Sequence, residues 1–163
     1  MAKELVVYFS VYGTAKIVAE EIAKQTGADL IEIEPVVPYD GNRDHYNALA
    51  RLAKREHDEN LRPAICNEIP VEAYDRIYIG YPMWWYTFPM IIYTLFDKYD
   101  FAGKTIIPFF SHEGSSDGAD ALPTVESLAS GATVRSQDAL SIRGDDVDGA
   151  ENEVREWVQN LGY

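Results

Sequence analysis

The chain has 163 residues, enough for one domain with a sizeable core, and 47% of them are apolar, which excludes a disordered chain. Its 14 Lys and Arg face 27 Asp and Glu, a formal charge of −13, so the surface repels phosphate backbones and anionic lipid. Nucleic acid and membrane are therefore poor partners. A basic protein is a better one, unless the acidity serves solubility alone. Cys66 is the only cysteine, so no internal disulfide can form. With no leader visible and no apolar run approaching the ~20 residues of a membrane helix, a reducing cytoplasm is the expected setting.

Leu5–Phe9 (LVVYF) is an uninterrupted, β-prone apolar run, the pattern of a strand buried on both faces. Ala15, Val18, Ala19 and Ile22 then recur at helical spacing, and Gly27 stands where a left-handed residue ends a helix. Ile31 and Ile33 alternate with Leu30, Glu32 and Glu34, which predicts a half-wet strand at a sheet edge. The prolines and glycine of 35–42 mark a loop. Tyr46, Leu49, Ala50 and Ala53 predict the inner face of a second helix that stops before Pro63. Arg76–Gly80 (RIYIG) is a third strand. Phe88, Ile91, Ile92, Leu95 and Phe96 give a third helix, with Pro89 in its first turn, where a missing N–H costs nothing. Lys104–Phe110 (KTIIPFF) is a fourth strand in which Pro108 predicts a bulge or an end. Val125 and Leu128 fit a fourth helix, and Ala132–Ile142 holds a fifth strand. Val147, Ala150, Val154, Trp157, Val158 and Leu161 make a closing helix. Strands alternating with helices over short connections imply a single α/β domain over residues 1–163, a parallel sheet with helices on both faces.

In such sheets ligands bind beyond the carboxyl ends of the strands, where strand order reverses. Three loops lie there. The first, Ser10-Val11-Tyr12-Gly13-Thr14-Ala15, joins a strand to a helix and offers hydroxyls, a glycine and free N–H groups, which suit an anion. It carries neither GxxxxGKS nor GxGxxG, so it is neither a nucleotide-hydrolysing loop nor a dinucleotide fingerprint. Plain helix capping by Ser10, Tyr12 or Thr14 is the other reading. The second loop holds Pro82, Met83, Trp84, Trp85 and Tyr86; its rings can stack on a flat heterocycle or pack as core. The third holds Ser111, His112, Glu113 and Gly114, with His112 either a ligand contact or structural. A phosphate site, an aromatic wall and a small polar loop describe a pocket for a flat molecule with a single phosphate tail. FMN fits this better than an adenine dinucleotide.

These residues carry a resemblance to the flavodoxin family, particularly its short bacterial members, over almost the full length. FSVYGT looks like that family's phosphate loop, GYPMWW like its second flavin loop and FFSHEGSSDG like its third. The resemblance implies a flavodoxin-like, doubly wound five-stranded parallel sheet of order 2-1-3-4-5. It also implies bound FMN and electron transfer. Ser10 and Gly13 match the family's loop pattern. Tyr12 stands at a small hydroxyl position, and Ala15 replaces a threonine.

An FMN-binding electron carrier is therefore expected, working with a basic redox partner protein or a small-molecule electron acceptor. Two rivals share the fold: an NAD(P)H-dependent quinone or flavin reductase, and a non-redox domain whose flavin site has decayed. The resemblance also implies a glycine beside the flavin whose peptide can turn to hydrogen-bond the one-electron-reduced ring; the second loop, 81–88, contains no glycine, which leans toward two-electron chemistry.

Overall fold

The computed structural model describes residues 3–83, 88–112 and 122–163. At its centre is β1 (Glu4–Tyr8), where Leu5, Val6 and Val7 have no exposed surface. A strand buried on both faces must be flanked on both sides. β1 pairs in parallel with β2 (Asp29–Glu32) on one side and β3 (Arg76–Pro82) on the other. β4 (Thr105–His112) follows β3, and the strand order is β2-β1-β3-β4-β5. Order therefore reverses between β1 and β3.

Alternation along the strands divides the core in two. Leu5, Val7, Ile77, Ile79 and Ile106 meet Ile91, Ile92 and Leu95 of α3 (Met90–Lys98) and Val125 of α4 (Leu122–Leu128). On the other face Val6, Tyr8, Tyr78, Ile107 and Phe109 meet α1 (Thr14–Thr26) through Val18, Ala19 and Ile22. The closing helix α5 (Ala150–Leu161) joins them there through Ala150, Val154 and Leu161. α2 (Tyr46–Asp58) lies beside α3 and buries Leu49 and Ala53. Gly27 ends α1 at φ 75°, with its N–H bonded to the Ala23 carbonyl, as its position predicts. Among the described residues no helix is long and apolar enough to cross a membrane.

Four expectations need correction. The fifth strand is split into β5 (Thr133–Val134) and β6 (Leu140–Arg143), both paired to β4, with a 3-10 turn at Ser136–Asp138 between them. Pro108 neither bulges nor ends β4: it sits in register with Ile79 of β3. Its missing N–H explains the split. The Ile106 carbonyl accepts from Arg135, so even-numbered residues of β4 turn their backbone groups toward the fifth position. Pro108 meets that position in the gap between β5 and β6, where no donor is needed. α3 starts one residue past Pro89, whose carbonyl accepts from Ile92. Finally, Tyr46 is the first residue of α2 and 55% exposed rather than on its inner face.

Tyr81, near the end of β3, has a fully buried side chain whose hydroxyl has no hydrogen-bond partner among the described residues. Its ring stacks on Phe110 at 5.8 Å and meets Phe88 at 5.2 Å. Burial alone raises its pKa, so the phenol stays neutral. Tyr81→Phe keeps this packing and removes a stranded polar group, so it is expected to stabilise the chain by about 1 kcal/mol in urea unfolding. A loss of that size would show that the hydroxyl is bonded in solution.

Candidate functional site

The three loop roots meet because neighbouring strands end together. The Phe9 N–H donates to the Gly80 carbonyl at 2.9 Å, tying the end of β1 to β3. The Met83 N–H donates to the Ser111 carbonyl at 2.8 Å, tying β3 to β4. Beyond these bonds lies a recess lined by Ser10, Val11, Tyr12, Thr14, Ala15, Tyr46, Pro82, Met83, Ser111 and His112. It lies at the carboxyl edge, between the strands where order reverses. Trp84, Trp85, Tyr86, Glu113 and Gly114 fall outside the described residues.

The loop after β1 is shaped by two residues. Ser10 Oγ accepts the Gly13 N–H at 3.0 Å and closes the turn. Gly13 takes φ 92°, a left-handed conformation that costs glycine nothing, and its carbonyl accepts the Ile17 N–H at 3.1 Å to begin α1. Gly13, the N-cap residue, has no side chain with which to cap α1. Ser10 thus satisfies an N–H at the helix start, as the capping reading expects, while among the described residues no side chain accepts the first-turn N–H groups, which open outward with the positive dipole end behind them. Nothing lies within 4 Å of a Cβ added at Gly13, so the space in front is open.

Tyr12 carries a second signature. Its hydroxyl is buried and has no hydrogen-bond partner among the described residues. Burial raises its pKa, with Tyr46 and Asp40 adding to the shift and Arg43 opposing it, so the phenol is a neutral donor. A buried donor without an acceptor is costly unless something brings one.

Tyr46 joins the recess from the segment 39–46, which reads in the sequence as an ordinary loop and helix start. Tyr39 is anchored twice: its ring meets Phe9 at 5.4 Å, and its hydroxyl donates to both Glu56 carboxylate oxygens at 2.7 and 2.9 Å. Glu56 is itself buried, and that burial raises its carboxyl pKa against the opposing effects of Tyr39 and Arg55. The chain then turns on Asp40, which accepts the Asn42 N–H and pairs with His45 Nδ1 at 2.6 Å. Gly41 runs so close to the first loop that an added Cβ would stand 3.1 Å from the Val11 carbonyl oxygen. This brings Tyr46 into the recess and sets the Arg43 guanidinium 4.7 Å above the Tyr12 ring. The sequence signal was the turn-forming DGN ahead of the charged pair Arg43-Asp44. Helical periodicity assigned Tyr46 elsewhere.

Chemically, the N–H and O–H donors of this arrangement suit an anion, and Pro82 and Met83 add a less polar lining beside them. Among the described residues, no group of three His, Cys, Asp or Glu side chains is placed to hold a metal.

The sequence has no significant match among curated proteins. A family model described as Flavodoxin matches residues 3–161. A crystal structure from Bacteroides uniformis, assigned as a flavoprotein, is 30% identical with a TM-score of 0.81, covering 97% of this chain and 98% of its own. One from Bacteroides eggerthii, also assigned as a flavoprotein, is 26% identical with a TM-score of 0.75, covering 94% of this chain and 98% of its own. A flavoprotein from Lactobacillus acidophilus, solved in complex with FMN, has a TM-score of 0.71 at 24% identity, covering 91% of this chain and 98% of its own, and bears on fold alone.

Proposed function

Because the chain belongs to the flavodoxin family, we propose that it binds FMN at the carboxyl edge of its sheet and transfers electrons. The observation that carries this reading is the unfilled donor set of the first loop. α1 starts on a glycine that cannot cap it, Gly13 opens the approach, and among the described residues the buried Tyr12 hydroxyl has no acceptor. A phosphate monoester supplies what each of these lacks. The backbone N–H groups of Val11–Ala15 and the hydroxyls of Ser10 and Thr14 would hold the phosphate, while Pro82, Met83, Ser111 and His112 would lie along the ring system.

The isoalloxazine supplies the redox chemistry when bound; this chain binds it, orients it and limits access of water. The formal charge of −13 favours a basic redox protein as partner, or a neutral or cationic small electron acceptor.

Titrating the cofactor-free protein with FMN and with riboflavin tests the proposal, read by visible absorption and calorimetry. Two or more charge-assisted hydrogen bonds to the phosphate are worth at least about 2 kcal/mol, so FMN is expected to bind about 30-fold or more tighter than riboflavin. Equal affinities would remove the phosphate cradle, and no uptake of either would sink the reading.

A further inference from the structure

The first loop, Ser10–Ala15, contains no Lys or Arg, and the chain as a whole carries a charge of −13. A phosphate dianion held there by neutral donors alone would sit in a repulsive long-range field. One cation is nevertheless brought to the loop, from a different part of the chain. Arg43 opens a 3-10 turn, Arg43–His45, whose start is fixed by the Asn42 side chain accepting the Asp44 N–H at 3.0 Å. Its guanidinium lies over the Tyr12 ring at 4.7 Å. Among the described residues Arg43 forms no ion pair; Asp40, the neighbouring acid, is taken by His45 Nδ1 and the Asn42 N–H. A guanidinium stacked on a ring keeps its in-plane N–H donors free for an acceptor beside that ring. Tyr12 lines the recess, and among the described residues its hydroxyl has no acceptor.

We infer that Arg43 and Tyr12 form a two-part phosphate clamp in which the guanidinium, held on the Tyr12 ring, and the Tyr12 hydroxyl both donate to the phosphate from the side opposite the α1 N-terminus. The inference rests on the FMN reading above and adds a binding contribution from outside the phosphate loop. It makes residues 39–46 part of the binding site, and their anchor, Tyr39 on Glu56 and Phe9, a positioning element. A clamp on the phosphate distinguishes phosphorylated from unphosphorylated flavin, because riboflavin offers it no anion to hold.

The test compares FMN and riboflavin binding to the full chain and to Arg43→Gln, Tyr12→Phe and Lys16→Gln. Lys16 is an exposed cation in the first turn of α1 and serves as the charge control. Arg43→Gln is expected to weaken FMN about 10-fold or more and to flatten the salt dependence of its Kd, with riboflavin unchanged. Tyr12→Phe keeps the stacking ring and is expected to weaken FMN several-fold, again sparing riboflavin. Lys16→Gln is expected to stay within about 3-fold, reflecting screened charge alone. Equal effects of Arg43→Gln and Lys16→Gln on FMN would overturn the clamp, as would equal losses of FMN and riboflavin. FMN uptake by the wild-type chain with Arg43→Gln unchanged would overturn it alone. Absence of FMN uptake by the wild-type chain would overturn the functional reading and the clamp together.

Discussion

Gly80→Ala is expected to destabilise the chain by about 3 kcal/mol, although alanine normally improves on glycine in a strand by reducing the entropy of the unfolded chain. The reason is a ring. Gly80 pairs with Phe109 across β3 and β4, and an added Cβ would stand 2.1, 2.2 and 2.8 Å from three atoms of the Phe109 ring. Those are overlaps, not contacts. Phe109 has no exposed surface and packs with Tyr8, Tyr78 and Leu140, so it has nowhere to swing without displacing them. Overpacking of this kind costs typically about 1–3 kcal/mol and sometimes more. Urea unfolding of Gly80→Ala, Phe109→Leu and the double variant measures it. The leucine removes the outer ring atoms, so the two changes should couple by at least about 1 kcal/mol in a double-mutant cycle. A single-variant loss below about 0.5 kcal/mol would mean that the ring yields.

Gly13→Asp is expected to lower FMN affinity by about 100-fold or more. Gly13 sits at φ 92° with nothing within 4 Å of an added Cβ, so sterics decide little. Among side chains, Asn and Asp tolerate left-handed backbone best. The two differ in charge, which makes Gly13→Asn the control. A carboxylate about 4 Å from one unit of phosphate charge is repelled by about 4 kcal/mol at an effective dielectric near 20, less where water screens it. Even after screening, about 2.7 kcal/mol corresponds to the 100-fold loss. Gly13→Asn should lose under about 10-fold, and riboflavin should bind both variants alike. Equal losses with Asp and Asn would falsify the placement of the phosphate before α1.

The elements and their order were legible from the residues because burial writes itself into a sequence as a period. Leu5–Tyr8 are apolar throughout since both faces of β1 are covered. Ala15, Val18, Ala19 and Ile22 recur at helical spacing since one face of α1 is. Strand-helix alternation then left few topologies, and the order β2-β1-β3-β4-β5 is one of them. The first loop was legible too: its hydroxyls and glycine are local chemistry, and the Ser10–Gly13 turn that they build spans only neighbouring residues.

What sequence alone left open depends on partners distant in the chain. Whether Pro108 breaks its own strand or the neighbouring ladder turns on which side its backbone faces, and only pairing with β3, β5 and β6 sets that. Gly80 looks like any strand glycine until Phe109 lies over it. Arg43 and Tyr46 carry no motif. Tyr46 lines the recess and Arg43 lies over the Tyr12 ring because Tyr39 is pinned by Phe9 and by Glu56, which is 17 residues further along the chain. Periodicity reports the environment of a residue relative to its own element. The composition of a site depends on which elements the fold brings to the same place, and for this chain that was decided by long-range packing of residues 39–46 against the end of β1.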